Sequence, residues 1–284
     1  MSAKRRIVAA GPSDRQQPWS TRGSRVERID RVLVDELAPR VTVGGQEAHH
    51  LRDVLRVRPG STVEAFDGRG RLARGEVVAV ERESVTLALD ESEPSSAEPL
   101  VAVTLAVALL KGDKLRDVVR PATELGVATF VLFVSTNCEA RELSAVRLTR
   151  LRRVAQEAAR QSGRGVVPPV AAPQPLDELT LAGIVLVGDP AAPISLAEHL
   201  AGRLAGSDAA GLSAAGTART GTAKATATTG EITIVTGPEG GLTDEEVERL
   251  QARGALGVRL GPRILRADTA PVAMAAALLL GSGA

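Results

Sequence analysis

The chain has 284 residues, of which 44% are hydrophobic, and a formal net charge of +1. This length favours about two domains, and the near-neutral charge does not by itself indicate a nucleic-acid partner. Aromatic residues are almost absent, with three Phe, one Trp and no Tyr, which argues against RNA binding on a row of stacked aromatic rings. Cys138 is the only cysteine, so an intrachain disulfide and a multi-cysteine metal site are excluded.

Two apolar runs are too short to act as targeting or membrane segments. Residues 7–10 cannot form a secretory h-region, and residues 270–280 cannot span a bilayer. We therefore expect a cytoplasmic protein without a membrane partner. His49 and His50 have no histidine or cysteine at metal-ligand spacing, so no metal site is predicted.

The first third of the chain has the pattern of a small β domain. Residues 1–25 are polar and basic, and we predict a flexible extension there. Strands are predicted at 31–34, 41–43, 62–66, 75–80 and 84–89. Ala48, Leu51, Val54 and Leu55 recur at helical spacing and predict one short helix. Several short strands separated by turns indicate a small β-barrel over residues 26–92.

A polar, proline-bounded linker is predicted at residues 93–99. Beyond it strands and helices alternate, which indicates a parallel α/β sheet over residues 100–284. The predicted strands are 101–110, 130–134, 184–187, 232–235 and 258–260, and the predicted helices are 115–125, 143–161, 244–253 and 269–280. Asp113 is placed to cap the first of these helices. Residues 205–230, rich in Ala, Gly, Thr and Ser, are expected to be a low-complexity insertion.

Two glycine-bearing loops follow predicted strands near the C-terminus. Gly237-Pro-Glu-Gly-Gly precedes a helix that Thr243 and Glu246 start with a capping box, and Leu260-Gly-Pro-Arg-Ile-Leu-Arg precedes the last helix. Glycine allows positive φ and close approach of the backbone to a flat ligand, although the first loop alone could equally be a tight turn. Two such loops can face each other at the carboxyl edge of a parallel sheet, where open α/β folds bind ligands.

These two loops, with Leu-Gly-x-Arg-Ile-Leu-Arg-x-x-Thr-Ala in the second, resemble those of the small-subunit ribosomal RNA uridine-N3 methyltransferases. Further segments similar to this family are Lys111-Gly-Asp-Lys-Leu, Ala122-Thr-Glu-Leu-Gly-Val, Glu157-Ala-Ala-Arg-Gln-Ser-Gly-Arg and His50-Leu-Arg-Asp-Val-Leu-Arg. The resemblance implies an α/β SPOUT-class domain with a trefoil knot, an exception to the rule that chains do not thread loops, and an N-terminal PUA-like β-barrel. It also implies S-adenosylmethionine as the cofactor, 16S ribosomal RNA as the substrate and a homodimer.

The resemblance further implies that both loops and the end of the strand before them surround the cofactor. The residues expected to line it are Leu186, Val187, Gly188, Thr236, Gly237, Pro238, Gly240, Gly241, Leu260, Gly261, Ile264, Leu265, Thr269 and Ala270. The glycines would offer backbone groups, and Leu260, Ile264 and Leu265 would form apolar walls.

Charged residues beside these loops are the candidates for catalysis. Arg266 is the first candidate for contacting the uracil and stabilising charge on its carbonyl oxygens, and Arg263 is the second. Glu239 could orient one of these arginines through a bidentate pair or only cap the next helix. Asp268 stands where the family more often has glutamate, and it could serve as the N-cap of the last helix.

An arginine-rich helix predicts an RNA-binding surface. The candidate RNA-binding residues are Arg52, Arg56, Lys111, Lys114, Arg147, Arg150, Arg153, Arg160 and Arg164. Such a stripe suits a phosphate backbone and predicts salt-sensitive binding, although the same run could be an ordinary solvated helix face. N3 of uracil is masked in a duplex, so the target must be unpaired or flipped out.

Two other functions stay open on the sequence alone. One is a knotted methyltransferase that acts on another RNA or another base atom, and the other is an RNA-binding ribosome assembly factor without catalysis. The apolar helix at 270–280 could contact a second subunit or pack inside its own domain.

Overall fold

The computed structural model describes residues 29–206 and 230–281. The predicted extension at 1–25 and nearly all of the predicted insertion at 205–230 lie outside the described residues. Among the helices described, none has both the length and the apolarity needed to cross a bilayer.

In residues 29–94, six strands form one sheet. They are β1 (Asp30–Leu33), β2 (Arg40–Gly44), β3 (Thr62–Phe66), β4 (Arg71–Val80), β5 (Ser84–Leu89) and β6 (Glu93–Pro94). The strand order is β1-β3-β4-β5-β2, and β6 pairs with β4. Val32 from β1 and Val43 from β2 lie at the two ends of this path, yet both pack in the same core cluster. The sheet therefore encloses a single small core, as expected of a barrel-like domain.

The short helix between β2 and β3 has an unusual geometry. It begins as α1 (Gly45–His49) and continues as a π-helical turn (His50–Leu55), in which the Arg56 amide donates to the Leu51 carbonyl five residues earlier. The wider turn of a π-helix shifts which side chains share a face. Leu51 is fully buried, but Val54 is 60% exposed, so the prediction that Val54 belongs to the apolar face was wrong.

The second domain is built on a parallel sheet. Among the described residues from 101 onward, its strands are β7 (Val101–Ala108), β8 (Thr129–Val134), β9 (Gln174–Pro175), β10 (Ile184–Gly188), β11 (Gly230–Thr236) and β12 (Leu256–Val258). The order is β12-β10-β11-β7-β8-β9, and all of these neighbours run parallel. The predicted parallel α/β domain is confirmed.

Helices cover this sheet. They are α2 (Lys114–Leu125), α3 (Ala145–Ser162), α4 (Leu196–Gly206), α5 (Asp244–Ala252) and α6 (Ala270–Gly281), with a 3₁₀ turn at Leu176–Glu178. The predicted capping box of Thr243 and Glu246 is present at the start of α5. Helix α4 was not predicted, although Ser195 and Glu198 exchange the two hydrogen bonds of the same motif.

Asp113 does not cap α2 as predicted. It occupies the N-cap position with φ −95° and ψ 9°, and its side chain makes no capping hydrogen bond to the described residues. A capping side chain normally starts from extended backbone, so this conformation explains the missing bond.

Helix α6 packs against its own domain. Met274 and Ala275 are fully buried, and the helix contacts α2, β7, β10 and β11. The chain thus leaves the edge strand β12 and returns across the middle of the sheet. Packing within the domain therefore explains the burial of the face that carries Met274 and Ala275.

Arginines and carboxylates join the two domains. Arg31 of β1 donates to the carbonyls of Ala159, Arg160 and Arg164 at the end of α3, at 3.0–3.2 Å, where a helix leaves carbonyls without partners. Glu98 in the predicted linker accepts hydrogen bonds from the Arg164 guanidinium at 2.7 Å and from two backbone amides at 3.0 Å. Glu98 therefore fixes one end of the segment between the domains to the second domain, while β6 at its other end pairs with β4 of the first domain.

Candidate active site

A cavity of about 520 Å³ opens where β10, β11 and β12 end. Its walls come from the glycine loop (residues 237–241), from the arginine loop (residues 259–267) and from Gly188, Asp189 and Pro190 after β10. These strands are neighbours in one parallel sheet, so their carboxyl ends meet at the same edge. The two loops singled out in the sequence therefore line a single cavity.

The glycine loop is tightly packed at two positions. A Cβ on Gly237 would lie 2.8 Å from the Leu242 nitrogen, because the loop folds back on itself. A Cβ on Gly240 would lie 3.0 Å from Cβ of Asn137. The Asn137 amide also donates to the carbonyls of Gly240 and Gly241 at 3.2 and 3.1 Å. The loop between β8 and α3 thus holds the glycine loop in place.

One buried hydroxyl at the cavity lacks a partner. Thr236 is 2% exposed and lines the cavity, and its Oγ1 has no hydrogen-bond partner among the residues that the structure describes. A buried polar group left unsatisfied costs about 1–3 kcal/mol. A ligand with a polar group at this point would remove that cost, so Thr236 fits a binding site.

Most of the residues predicted to line the cofactor surround this cavity, but three do not. Leu186 and Val187 are buried in β10, where their side chains pack in the core, and Gly188 is the residue of that strand at the cavity wall. Thr269 is exposed, and its hydroxyl donates to Asp268. Ile264 does line the cavity but is 84% exposed, so it lies at the mouth instead of forming a buried wall.

Glu239 lines the cavity but does not orient an arginine. Its Oε1 lies 2.6 Å from the Lys114 Nζ and accepts the Lys111 backbone N–H at 3.2 Å. The reason is topological: the glycine loop follows β11, next to β7 and the lysines, whereas Arg263 and Arg266 follow β12. Burial by itself raises the pKa of Glu239, but the hydrogen bonds from Lys114 and from backbone amides lower it below its ordinary value.

Arg266 is the more exposed partner of a different pair. Its guanidinium lies 3.1 Å from the Asp268 carboxylate, with the arginine side chain 74% exposed. Helix α6 begins at Ala270, so Asp268 does not directly precede the helix. The alternative that Asp268 acts as its N-cap is therefore wrong, and Asp268 instead fixes one end of Arg266.

Sequence reasoning missed several residues of the cavity wall. These are Asp189, Pro190, Leu242, Val247, Val258, Arg259 and Ala267. Arg259 donates to the Ala192 carbonyl at 3.1 Å and thereby ties the loop after β10 to the arginine loop. Asp189 could have been identified from the sequence, because it directly follows a buried strand that ends in glycine.

The predicted RNA-binding arginines fall into two groups. Arg150 and Arg153 are exposed on α3. Arg164 is buried and paired with Glu98, and Arg160 is held by Glu47 at 3.0 Å with both side chains mostly buried. The prediction that Arg160 and Arg164 face RNA was wrong, because Glu47 of the N-terminal domain holds Arg160, whereas Glu98 and the carbonyls of Thr123 and Val127 enclose Arg164.

Apart from Arg56, the remaining candidate cations have partners of their own. Arg147 donates to the Gly112 carbonyl, Lys111 pairs with Glu139 at 2.8 Å, and Arg52 pairs with the adjacent Asp53. Arg56 is exposed at the end of the π-helical turn with φ +58°. Within residues 29–206 and 230–281, no group of three or more His, Cys, Asp or Glu could hold a metal ion.

Similarity to known proteins assigns the chain to a family. The model of the RNA methyltransferase domain matches residues 96–279, and the model of the RNA methyltransferase PUA domain matches residues 43–90. Ribosomal RNA small subunit methyltransferase E of Synechocystis sp. is 34% identical over 231 residues, which cover 81% of this chain and 70% of that relative. The chain belongs to the small-subunit ribosomal RNA methyltransferase E family.

Other members of the methyltransferase E family agree in sequence and fold. The Mycobacterium bovis member is 33% identical over 245 residues, which cover 84% of each chain. The Neisseria gonorrhoeae member, solved with S-adenosylmethionine bound, superposes with a TM-score of 0.72 at 26% identity and covers 88% of this chain and 97% of that chain.

Proposed function

We propose that this family member transfers a methyl group from S-adenosylmethionine to N3 of a uridine in 16S ribosomal RNA. The proposal rests on the cavity at the carboxyl edge of the sheet. The glycine loop and the arginine loop both line this cavity, and the arginine loop contributes Arg263 and Arg266. The cavity volume of about 520 Å³ is in the usual range for small-molecule sites.

The residues present fit S-adenosylmethionine. Backbone groups of Gly237, Gly240 and Gly241 can approach a flat adenine closely, Leu260 and Leu265 offer apolar walls, and the Thr236 hydroxyl is free to bond a polar group. When bound, S-adenosylmethionine supplies an electrophilic methyl carbon, whose bond to sulfur breaks with its electron pair returning to sulfur as the carbon–nitrogen bond forms.

Arg266 acts on the base in this proposal. As N3 loses its proton, negative charge spreads onto the uracil carbonyl oxygens, and a fixed cation beside them stabilises it. A guanidinium keeps its proton at neutral pH, so Arg266 serves as a donor and not as a base. Asp268 limits its motion from the protein side, and Arg263 lies in the same loop. Both line the open side of the cavity, where a flipped-out base can enter.

Four further expectations belong to the same proposal. RNA phosphates bind Arg150 and Arg153 on α3, and the protein acts in the cytoplasm as a homodimer. The C-terminal domain forms a trefoil knot, which is supported by the return of the chain from the edge strand β12 through α6 to the centre of the sheet.

The decisive experiment is transfer of labelled methyl to small subunits that lack the modification. Digestion of the RNA and mass spectrometry should place the label on N3 of one uridine. Label on large subunits or on transfer RNA would reject the substrate, and label on another atom would reject the position. RNA binding without any affinity for S-adenosylmethionine would favour an assembly factor instead.

A substitution in the glycine loop tests the cofactor site directly. Gly240→Val should lower S-adenosylmethionine affinity about 10- to 100-fold, because a branched side chain would collide with Asn137 and displace the loop, and overpacking of this kind costs about 1–3 kcal/mol. Calorimetry measures the affinity. Gly202→Val is the matched control, because Gly202 lies on α4 with open space around its Cβ position. Equal affinities in the two variants would show that the loop is not the cofactor site.

A further inference from the structure

Lys114 presents its ammonium group to the cavity. It is the first residue of α2 and lines the cavity together with the glycine loop and the arginine loop. Its Nζ lies 2.6 Å from Glu239 Oε1, and both side chains are only 29% exposed. The pair is therefore part of the cavity wall and not an ordinary surface ion pair.

Lys114 stands at the unfavourable end of its helix. The N-terminus of a helix carries a partial positive charge, so a lysine there is less favourable than a neutral residue. The neighbouring Asp113 does not offset this with a capping bond. A residue that contradicts its local preference is expected at a functional position.

The sheet order places Lys114 across the cavity from the catalytic arginine. The strands run β12-β10-β11-β7, with Arg266 after β12, the glycine loop after β11 and Lys114 after β7. The cavity thus has a cation on each side of the glycine loop. Uracil has a matching pattern, because N3 lies between two carbonyl groups that share the negative charge once N3 loses its proton.

We propose that Lys114 is a second substrate-contacting residue, whose ammonium donates a hydrogen bond to one uracil carbonyl while Arg266 contacts the other. This inference rests on the proposed function. In the transfer, the N3–H bond breaks and the proton passes to water. The N3 electron pair then forms the bond to the methyl carbon, and the carbon–sulfur pair returns to sulfur. Glu239 is a positioning residue that holds the ammonium in place.

The surroundings of Lys114 argue against a phosphate contact. A phosphate oxygen on this ammonium would lie close to the Glu239 carboxylate, which shares the same group at 2.6 Å, and like charges at that distance repel. A uracil carbonyl is neutral on binding and carries only part of one negative charge after N3 loses its proton, so it meets less repulsion than a phosphate oxygen. Lys111 shows the contrast, since its ammonium binds Glu139 and it does not line the cavity.

The test compares Lys114→Met with Arg249→Met. Arg249 is an exposed residue of α5 in an ion pair with Asp177 at 3.1 Å, and it does not line the cavity. With saturating cofactor and subunits, Lys114→Met should lower kcat about 100-fold, as loss of one donor to a developing oxyanion does. Its cofactor affinity should stay at the wild-type value, and Arg249→Met should match wild type throughout.

Two further readouts separate a chemical role from a structural one. The rising limb of the pH–rate profile should move to higher pH in Lys114→Met, because the uracil anion has lost a stabilising cation. Subunits reconstituted with 5-fluorouridine RNA, whose N3 is more acidic, should restore much of the rate. Lys114→Arg keeps the positive charge and should retain at least about a tenth of the wild-type kcat if the cation is what matters.

Each outcome decides the inference. In one outcome Lys114→Met leaves kcat unchanged, and the salt dependence of its RNA binding falls by about one phosphate contact. This result would identify Lys114 as a contact to the RNA phosphate backbone and overturn the inference. A lower kcat without rescue by 5-fluorouridine would assign a structural role and overturn it as well. If the wild-type enzyme methylates N3 and Lys114→Met does so equally fast, only this inference fails. Absence of N3 methylation by the wild type would reject the proposed function itself.

Discussion

Helix α3 and the turn that follows it carry arginines in opposite states. Just beyond the C-terminal end of the helix, Arg164 is buried and bonded to Glu98 and to the carbonyls of Thr123 and Val127. In the middle of the helix, Arg150 and Arg153 are exposed and have no hydrogen bond or ion pair to any described residue. The comparison shows that burial, and not residue type, separates an arginine that stabilises the fold from those free to bind a phosphate.

The largest expected effect is at the buried end. Arg164→Ala should lower the free energy of unfolding by about 3 kcal/mol or more, because it removes the cation beside Glu98 and leaves two buried carbonyls without their donor. Arg150→Ala should change it by no more than about 0.5 kcal/mol. Urea denaturation of both variants measures the difference. Similar losses in the two variants would contradict the assignment of Arg164 as a structural residue.

A buried acid extends the comparison to carboxylates. Glu246 is buried and accepts hydrogen bonds from the Thr243 amide and from both the amide and hydroxyl of Thr136, at 2.7–2.9 Å. Burial by itself raises the pKa of Glu246, but these bonds lower it below its ordinary value of 4.5.

The direction of that pKa shift determines how the stability contributed by Glu246 depends on pH. A carboxylate with a lowered folded-state pKa contributes stability above its unfolded pKa and loses that contribution as the pH falls through the folded value. Glu246→Gln should therefore cost about 2 kcal/mol at pH 7 and show a smaller further loss on acidification below about pH 4.5. Denaturation curves at pH 7 and pH 3 measure this. Parallel losses in wild type and variant would exclude Glu246 as a source of acid sensitivity.

The smallest expected effect is at the exposed arginines. Replacing Arg150 and Arg153 together by Ala should lower RNA affinity by about tenfold at moderate salt and reduce the salt slope by about two. Folding stability should be nearly unchanged. Filter binding across a salt series measures the slope, with Arg249→Ala as the surface control. A slope equal to that of wild type would place the RNA elsewhere on the protein.

The sequence was informative where a local rule determines the structure. The glycine loop and the arginine loop could be identified from the sequence, because a glycine motif that follows a buried strand is recognised from adjacent residues alone. Burial of Arg160 and Arg164 depends on Glu47 and Glu98, which are far away in the chain, and a run of arginines does not show where another domain docks. The same limit explains Glu239, whose partner was expected in the arginine loop but lies at the start of α2.

Local geometry explains two further errors. Helical periodicity assumes an α-helix, and the π-helical turn at residues 50–55 moved Val54 to the surface. The family resemblance implied that Leu186 and Val187, at the end of the strand that closes with Gly188, line the cofactor. However, a fully buried central strand directs its side chains into the core on both faces, and only its end reaches the cavity.

The position of β11 has a consequence for how the chain folds. This strand lies between β10 and β7, so that Thr104 pairs with Thr233 across well over a hundred residues of chain. Bringing such distant segments together has an entropic cost before any contact compensates it, and a high contact order slows folding. The centre of the sheet can therefore form only late in synthesis, after β7 and β8 have left the ribosome without their final neighbour.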